Sequence, residues 1–366
     1  MSKVLLLGGT GAMGVYLREI LAAEGKDVLV TSRSEQMPYA GVEFLRGDSR
    51  DVGFLSSVLD RVGPDAIVDF MIYGTDEFKA RRDLLLGKTR HYLFLSSYRV
   101  FNDAEVITER TPRLLDSSTD SAYLKTDEYA LCKARSEDFL RESGKTNWTI
   151  IRPGITYSKR RFQLGCLEAN TLCYRSFQGL PVAMPPEMRL KQTTMTWGRD
   201  VALMIARLVL NPKAYGEDFN CASAEHHSWD EICGLYKRMI GTEVRDCTIE
   251  DYIRIVGNSA QVRYDRMFNR IIDNGKVLAA TGLKQEQLLT LDVALSRELE
   301  SFRKNPDYQY PNVAINARLD RVLGTAISLR GFSLRQRREY YAIRYPLVGL
   351  FVRGVGKLKR TMLADD

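Results

Sequence analysis

Histidine is scarce in this chain, with three residues in 366: His91 ahead of an apolar run and the adjacent pair His226-His227 in a turn-like stretch. That distribution argues against a metalloenzyme, which needs ligands clustered at fixed spacing. The six cysteines (Cys132, Cys166, Cys173, Cys221, Cys233, Cys247) are scattered, with no C-x-x-C pair. They read as reduced core thiols in a cytoplasmic protein rather than a disulfide framework. No apolar run approaches the roughly 18 residues of a spanning helix, and Met1-Ser2-Lys3 leads so directly into a strand that no signal peptide fits.

What is present begins at once. The run Val4-Leu5-Leu6-Leu7 feeds into Gly8-Gly9-Thr10-Gly11-Ala12-Met13-Gly14 and then an amphipathic segment. Gly9, Gly11 and Gly14 satisfy G-x-G-x-x-G, while Gly8, Gly11 and Gly14 satisfy G-x-x-G-x-x-G on the same loop. Glycines there let backbone N–H groups approach a pyrophosphate at the positive end of a helix dipole. Tight turns also use glycine without binding anything, but a buried-type strand before the loop and a helix after it point to a dinucleotide site.

Short apolar runs continue through the first half at Val28-Val30, Val42-Leu45, Ala66-Val68, Tyr92-Leu95 and Trp148-Ile151. Alternating with helix-capable stretches, they predict an α/β fold, a doubly wound Rossmann parallel sheet. Helices are expected over Val15 to Glu24, closed by Gly25, and over Asp120 to Ser143, closed by Gly144. After Arg152-Pro153-Gly154 the texture changes. The reading is a Rossmann domain over 1–154, a smaller discontinuous substrate lobe over 155–310, and a basic C-terminal extension over 311–366. Within the lobe, residues 195–223 are expected to return to the main sheet through Glu217 to Cys221, and Ser228-Trp229-Asp230-Glu231 to open a helix with a capping box.

Tyr129-Ala130-Leu131-Cys132-Lys133 places a phenol and an ammonium one helical turn apart, so that the lysine charge can lower the tyrosine pKa. Such a tyrosine can exchange a proton with a carbinol/carbonyl pair. Y-x-x-x-K arises by chance on many helices, but here it follows Leu93-Phe94-Leu95-Ser96-Ser97, a buried strand ending in two hydroxyls. Ligands of open α/β sheets bind beyond such carboxyl ends.

With these motifs the chain resembles the extended short-chain dehydrogenase/reductase superfamily, in its NAD(P)-dependent sugar epimerase/dehydratase group. The resemblance covers about residues 3 to 240 and also rests on Gly47-Asp48, Tyr98-Arg99-Val100-Phe101, Ile151 to Tyr157 and Trp197 to Ala202. It implies a catalytic triad of Ser97, Tyr129 and Lys133, in which Tyr129 exchanges the proton, Ser97 orients the substrate oxygen and Lys133 holds the cofactor ribose. It implies a cofactor site built from Gly8, Gly9, Thr10, Gly11, Ala12, Met13, Gly14, Ser32 and Arg33, with Asp48 at the adenine and Pro153 near the nicotinamide. The fourth strand departs from the family: Asp69-Phe70-Met71-Ile72-Tyr73 stands where small residues usually flank the cofactor, so Met71 reshapes the pocket. Tyr98 and Arg99 replace the acidic pair of sugar 4,6-dehydratases, which argues against water elimination. The stretch from Val42 to Phe70 also looks like the chloroplast stem-loop RNA-binding branch, which tends to lose the tyrosine pattern that this chain keeps.

The second strand ends in Thr31-Ser32-Arg33, with no carboxylate for the 2′-hydroxyl of NAD and a guanidinium suited to a 2′-phosphate. NADP is the expected cofactor and NAD the alternative. Lys159, Arg160, Arg161, Arg189 and Lys191 fall where a diphosphate-linked sugar would be met, with Arg99, Arg161 and Lys191 the candidate substrate-binding cations. The expected activity is that of an oxidoreductase or epimerase on a secondary alcohol or ketone of a sugar or nucleotide-sugar. The alternative is a non-catalytic, dinucleotide-dependent RNA-associated or scaffold protein.

Charge is uneven. From Pro311 to Asp366 there are eleven Lys/Arg and four Asp/Glu, a balance of +7 that equals the net charge of the whole chain. Leu347 to Arg360 interleaves apolar residues with cations. Three readings stay open: a peripheral contact on the inner face of a membrane, docking on a partner protein or a second subunit of a homodimer, and nucleic-acid binding, the least favoured.

Overall fold

The computed structural model describes residues 1–39, 41–159, 161–306 and 311–346. Two compact units are present, each assembled from separate stretches of chain: Met1–Arg161, Gln192–His227 and Phe268–Ser301 form the first, and Phe162–Lys191, Ser228–Met267 and the chain from Phe302 onward form the second. The sequence reading cut the chain in blocks at 154 and 310. Residues 195–223, expected to return to the main sheet, fall within the stretch 192–227 of the sheet-bearing unit; 268–301 belong to that unit too, and the chain after Phe302 to the second.

The first unit is built on β1 (Lys3–Leu7), α1 (Gly14–Ala23), β2 (Asp27–Ser32), β3 (Val42–Arg46), α2 (Val52–Val62), β4 (Ala66–Asp69), α3 (Thr75–Gly87), β5 (His91–Leu95), α4 (Tyr129–Arg141), β6 (Trp148–Pro153), α5 (Gly198–Leu208) and β7 (Glu217–Cys221). Its seven strands are parallel in the order β7-β6-β5-β4-β1-β2-β3, the doubly wound Rossmann arrangement. Successive strand residues point to opposite faces, and both faces here are covered. Val4 and Leu6 of β1 pack with Val15, Leu17 and Leu21 of α1 and Val201 and Ile205 of α5. Leu5 and Leu7 pack on the other side with Leu55 and Leu59 of α2 and Phe78 of α3. The near-continuous apolar strands of the sequence are the consequence of this double burial. The returning strand at Glu217–Cys221 lies beside β6, in register with Thr149 to Pro153.

One expected helix is broken. Residues 120–143 form a short turn of helix at Ser121–Leu124 and then α4, which starts at Tyr129. Two caps compete for the stretch: Asp120 accepts from the Ala122 and Tyr123 amides, and Glu128 accepts from Ala130 N at 2.7 Å. Glu128 therefore sets Tyr129 as the first residue of α4.

The second unit carries α6 (Trp229–Ile240), α7 (Ile249–Val256), α8 (Val313–Leu323) and α9 (Leu334–Arg344). Ser228 and Glu231 form the expected capping box of α6, and Gly241 ends it in a left-handed conformation (φ 71°). Buried Arg175 ties this unit together: it donates to Pro181 O at 2.7 Å, pairs with Asp320 at 2.9 Å and bonds Thr325 at 2.8 Å. Asp320 in turn accepts from Tyr340 Oη at 2.6 Å, which fixes α9 onto α8. Arg160 and the apolar-basic stretch from Leu347 to Arg360, both singled out in the sequence, lie outside the described residues.

Candidate functional site

The glycine loop joins β1 to α1 as the motif requires. Gly8 has φ 71°, a conformation that L side chains rarely adopt. A Cβ on Gly14 would stand 2.5 Å from the Gly9 carbonyl oxygen, and one on Gly9 would stand 2.7 Å from Leu6 Cβ. Above Gly11 there is nothing within 4 Å. The turn is thus packed tightly against its own strand and helix and open on one side, the cradle that a pyrophosphate fits. We expect Gly14→Ala to displace backbone and destabilise the unit by about 1–3 kcal/mol, with weaker dinucleotide binding. Gly11→Ala is expected to leave the melting temperature unchanged, so any affinity it loses in a nucleotide titration reports the ligand itself.

Beside the loop is a cavity of about 280 Å³ whose lining includes Gly8, Thr10, Ser32, Arg33, Asp48 and Met71. Met71 narrows it, since its sulfur would lie 2.8 Å from a Cβ on Gly8. Asp48 Oδ1 accepts from Arg50 N at 3.0 Å, which shapes the turn after β3. Thr31 Oγ1 accepts from Gly8 N at 3.0 Å and from Ser49 Oγ at 2.7 Å, and Ser32 Oγ donates to Ser34 O at 2.8 Å. The hydroxyls at the end of β2 thereby hold the glycine loop and the following turn, while Arg33 is exposed. Arg50, which the sequence reading passed over, also lines the cavity and donates to Ile72 O at 2.9 Å. Of the remaining residues expected at a cofactor, Ala12 has its carbonyl 2.8 Å from where a Gly198 Cβ would be, Met13 is the N-cap of α1, and Pro153 ends β6 opposite Cys221.

Ser97, Tyr129 and Lys133 come together at the carboxyl end of β5. Ser97 is 7% exposed, its Oγ accepts from Arg99 N at 3.2 Å, and its hydroxyl is near enough to Tyr129 to favour the phenolate. Lys133, 3% exposed, reaches back along β5 to donate to Leu95 O at 2.6 Å and Met71 O at 3.3 Å. An ammonium has three N–H donors, so one more remains to be placed. Lys133 Nζ also lies 4.5 Å from the Phe94 ring centroid and 5.9 Å from that of Tyr129.

The electrostatics differ from what the Tyr-Lys spacing predicts. Burial pushes the Tyr129 pKa up, and the charges that oppose this are those of Arg99 and Arg161, followed by the nearby Ser97 hydroxyl. Arg99 sits 5.1 Å over the Tyr129 ring and is itself paired with Glu128 at 2.6 Å. Lys133 is occupied with backbone carbonyls, and burial pushes its own pKa down to about 8 against the opposing pull of Asp69. Arg99 and Arg161, rather than Lys133, are accordingly the charges that oppose the rise at Tyr129.

Asp69 is fully buried at the end of β4, accepting from Tyr92 Oη at 2.8 Å, Tyr73 Oη at 3.1 Å and Met71 N at 2.9 Å. Burial raises its pKa, with those bonds and Lys133 opposing. Its network fixes the chain through Met71, and so both the carbonyl that receives Lys133 and the side chain that narrows the cavity. Below the triad, Glu137 and Arg152 make a bidentate pair with both contacts at 2.8 Å, and Ser96 Oγ donates to Glu137 at 2.6 Å. That buried clamp joins α4 to β5 and β6 and so positions Tyr129 and Lys133 relative to Ser97.

Two of the other cations are in ion pairs: Lys159 with Glu19 at 3.7 Å and, in the second unit, Arg189 with Asp246 at 2.8 Å. The Lys191 side chain is half-buried. Among the described residues no group of three or more His, Cys, Asp or Glu is placed to hold a metal, and no helix is long and apolar enough to cross a membrane.

Comparison with known proteins bears out the resemblance read from the sequence. Residues 4–86 match the NAD dependent epimerase/dehydratase family. The chain is 25% identical over 248 residues to the chloroplast stem-loop binding protein of 41 kDa b of Arabidopsis thaliana, covering 63% of this chain and 61% of that protein. It is 26% identical over 175 residues to the UDP-glucose 4-epimerase of Lactobacillus helveticus, covering 44% and 51% respectively. The match therefore spans less than two thirds of either relative. In structure it is similar to the dTDP-glucose 4,6-dehydratase of Bacillus anthracis in complex with NAD, with TM-score 0.65, 14% identity and coverage of 84% of this chain and 98% of that one, a likeness of fold.

Proposed function

We propose that this chain, whose residues 4–86 are of the NAD dependent epimerase/dehydratase family, is an NADP-preferring oxidoreductase or epimerase acting on a secondary alcohol or ketone of a sugar, the sugar being nucleotide-linked. The observation that carries the reading is the placing of Ser97 just past the end of β5, beside Tyr129 at the start of α4, with Lys133 one turn along that helix and bonded to Leu95 O. A protein that only binds has no use for such a relay.

The open glycine turn and the cavity beside it fit a dinucleotide, held by the backbone of Gly8 to Gly14, by Asp48 at the adenine end, and by Arg33 at the 2′ position. When bound, the dinucleotide supplies or takes up a hydride. Tyr129 Oη exchanges the proton with the substrate oxygen. Ser97 Oγ donates to that same oxygen and keeps it in line with the phenol. Arg99 and Arg161 stabilise the phenolate form of Tyr129, and Lys133 offers its remaining N–H to the ribose hydroxyls.

NADP is favoured because Thr31 and Ser32 are committed to internal bonds and carry no carboxylate, whereas Arg33 is exposed beside the cavity. Arg33→Ala is expected to weaken NADPH binding by about 1.5–3 kcal/mol, the range for a charged hydrogen bond, with NADH hardly changed. Titration of both nucleotides against both proteins checks this; tighter NADH than NADPH binding by the unsubstituted protein overturns the preference. The likeness to the Arabidopsis stem-loop binding protein supports a second reading, RNA association without turnover. Mass analysis of nucleotide released from the purified protein, followed by assay with keto-sugars and nucleotide-sugars, separates the two.

A further inference from the structure

Helix α9 has two unlike faces. Tyr340, 1% exposed, and Ile343 pack inward with Ala317 of α8 and with Ile327. Half a turn away, Leu334, Arg338, Tyr341 and Tyr345 recur at the i, i+4, i+7, i+11 spacing of a single helix face. Leu334 is 75% exposed, Tyr341 49% and Tyr345 46%, and the rings of the two tyrosines stack with centroids 6.5 Å apart. Exposed Arg337 and Arg335 flank this face on either side. From Arg330 to Arg360 the chain has nine Lys/Arg and one acid, Glu339, with Leu347-Val348-Gly349-Leu350-Phe351-Val352 between the cations.

We propose that the exposed face of α9 seats this protein on an anionic lipid surface. The inference is independent of the reaction proposed above. Leu334 and the two tyrosines enter the headgroup region, where an amphipathic ring gains from an apolar body and a wet hydroxyl. Arg335, Arg337 and Arg338 meet the lipid phosphates, their stems lying along the apolar face. The bonds from Tyr340 to Asp320 and from Asp320 to Arg175 hold the helix rigidly, so the face is preformed. Charge complementarity selects this occupant over the others. Two copies of one cationic face repel each other, and nucleic acid phosphates give no return for the exposed apolar side chain of Leu334.

The test is flotation of the full chain with phosphatidylcholine vesicles, with and without phosphatidylglycerol. Binding is expected only to the anionic vesicles and is expected to weaken as salt screens the charges. The variant Arg335→Gln/Arg337→Gln/Arg338→Gln is expected to lose on the order of 100-fold in partitioning, at about fivefold per arginine. Leu334→Ser/Tyr341→Ser/Tyr345→Ser is expected to lose binding while keeping its charges and its melting temperature. Failure of the unsubstituted chain to float with anionic vesicles overturns the proposal. So does unchanged flotation of both variants, or arginine-dependent capture of stem-loop RNA without vesicle binding.

Discussion

Tyr129→Phe is expected to bind dinucleotide as the unsubstituted protein does and to turn substrate over at least about 10²-fold more slowly, the scale on which a positioned acid/base acts. The substitution removes one oxygen and no packing. Its aromatic ring stays under Arg99, and the Glu128–Ala130 cap that starts α4 does not involve the phenol. Lys133 keeps its bonds to Leu95 and Met71, so the cofactor side of the site is undisturbed. Steady-state assay beside nucleotide titration reads the two effects separately. A variant with normal turnover removes Tyr129 from the chemistry.

Glu137→Ala carries the largest expected effect on stability. Its carboxylate is fully buried and makes both contacts of the Arg152 pair, and removing it leaves the buried guanidinium with Asp218 alone, at 2.9 Å, a loss at the lower end of the about 3–5 kcal/mol for breaking a buried pair. For a unit of this size that corresponds to a fall in melting temperature on the order of 10 °C. Burial alone pushes the Glu137 pKa up, but Arg152, Arg141 and Ser96 outweigh it and hold the carboxyl below its ordinary 4.5. A depressed folded pKa contributes stability above the unfolded value and loses it as pH falls. The gap between the unsubstituted protein and Glu137→Gln is therefore expected to be full at neutral pH and to close progressively below pH 4.5. Thermal melts across pH check the sign, and a gap that widens on acidification contradicts it.

The nucleotide-binding half was legible because its signals are local. An apolar strand, a glycine turn and an amphipathic helix occupy residues 3–23 without interruption, and Glu217 to Cys221 carries the pattern of a strand that can close the sheet. Ser97, Tyr129 and Lys133 were legible from spacing, since a strand end and a helix start sit together in any open parallel sheet. Their electrostatics were not. Arg99 reaches Tyr129 only because Glu128, twenty-nine positions on, caps α4 and anchors the guanidinium. Glutamate is an unusual cap, so the stretch from Asp120 to Ser143 read as one helix. Asp69, Tyr73 and Tyr92 meet because β4 and β5 pair side by side, a contact that no periodicity announces. The sequence did flag Asp69 to Tyr73 as bulky where small residues were expected, and the structure gives that bulk a use, in fixing Met71 over Gly8.

The most direct measurement is rapid mixing of the dinucleotide-loaded protein with nucleotide-linked sugars, followed in the absorption band of reduced nicotinamide. The account predicts that the band changes within a turnover for the unsubstituted protein and at least about 10²-fold more slowly for Tyr129→Phe. A loaded protein whose band is unmoved by nucleotide-linked sugars and by their keto forms, or a Tyr129→Phe variant that matches the unsubstituted rate, contradicts it.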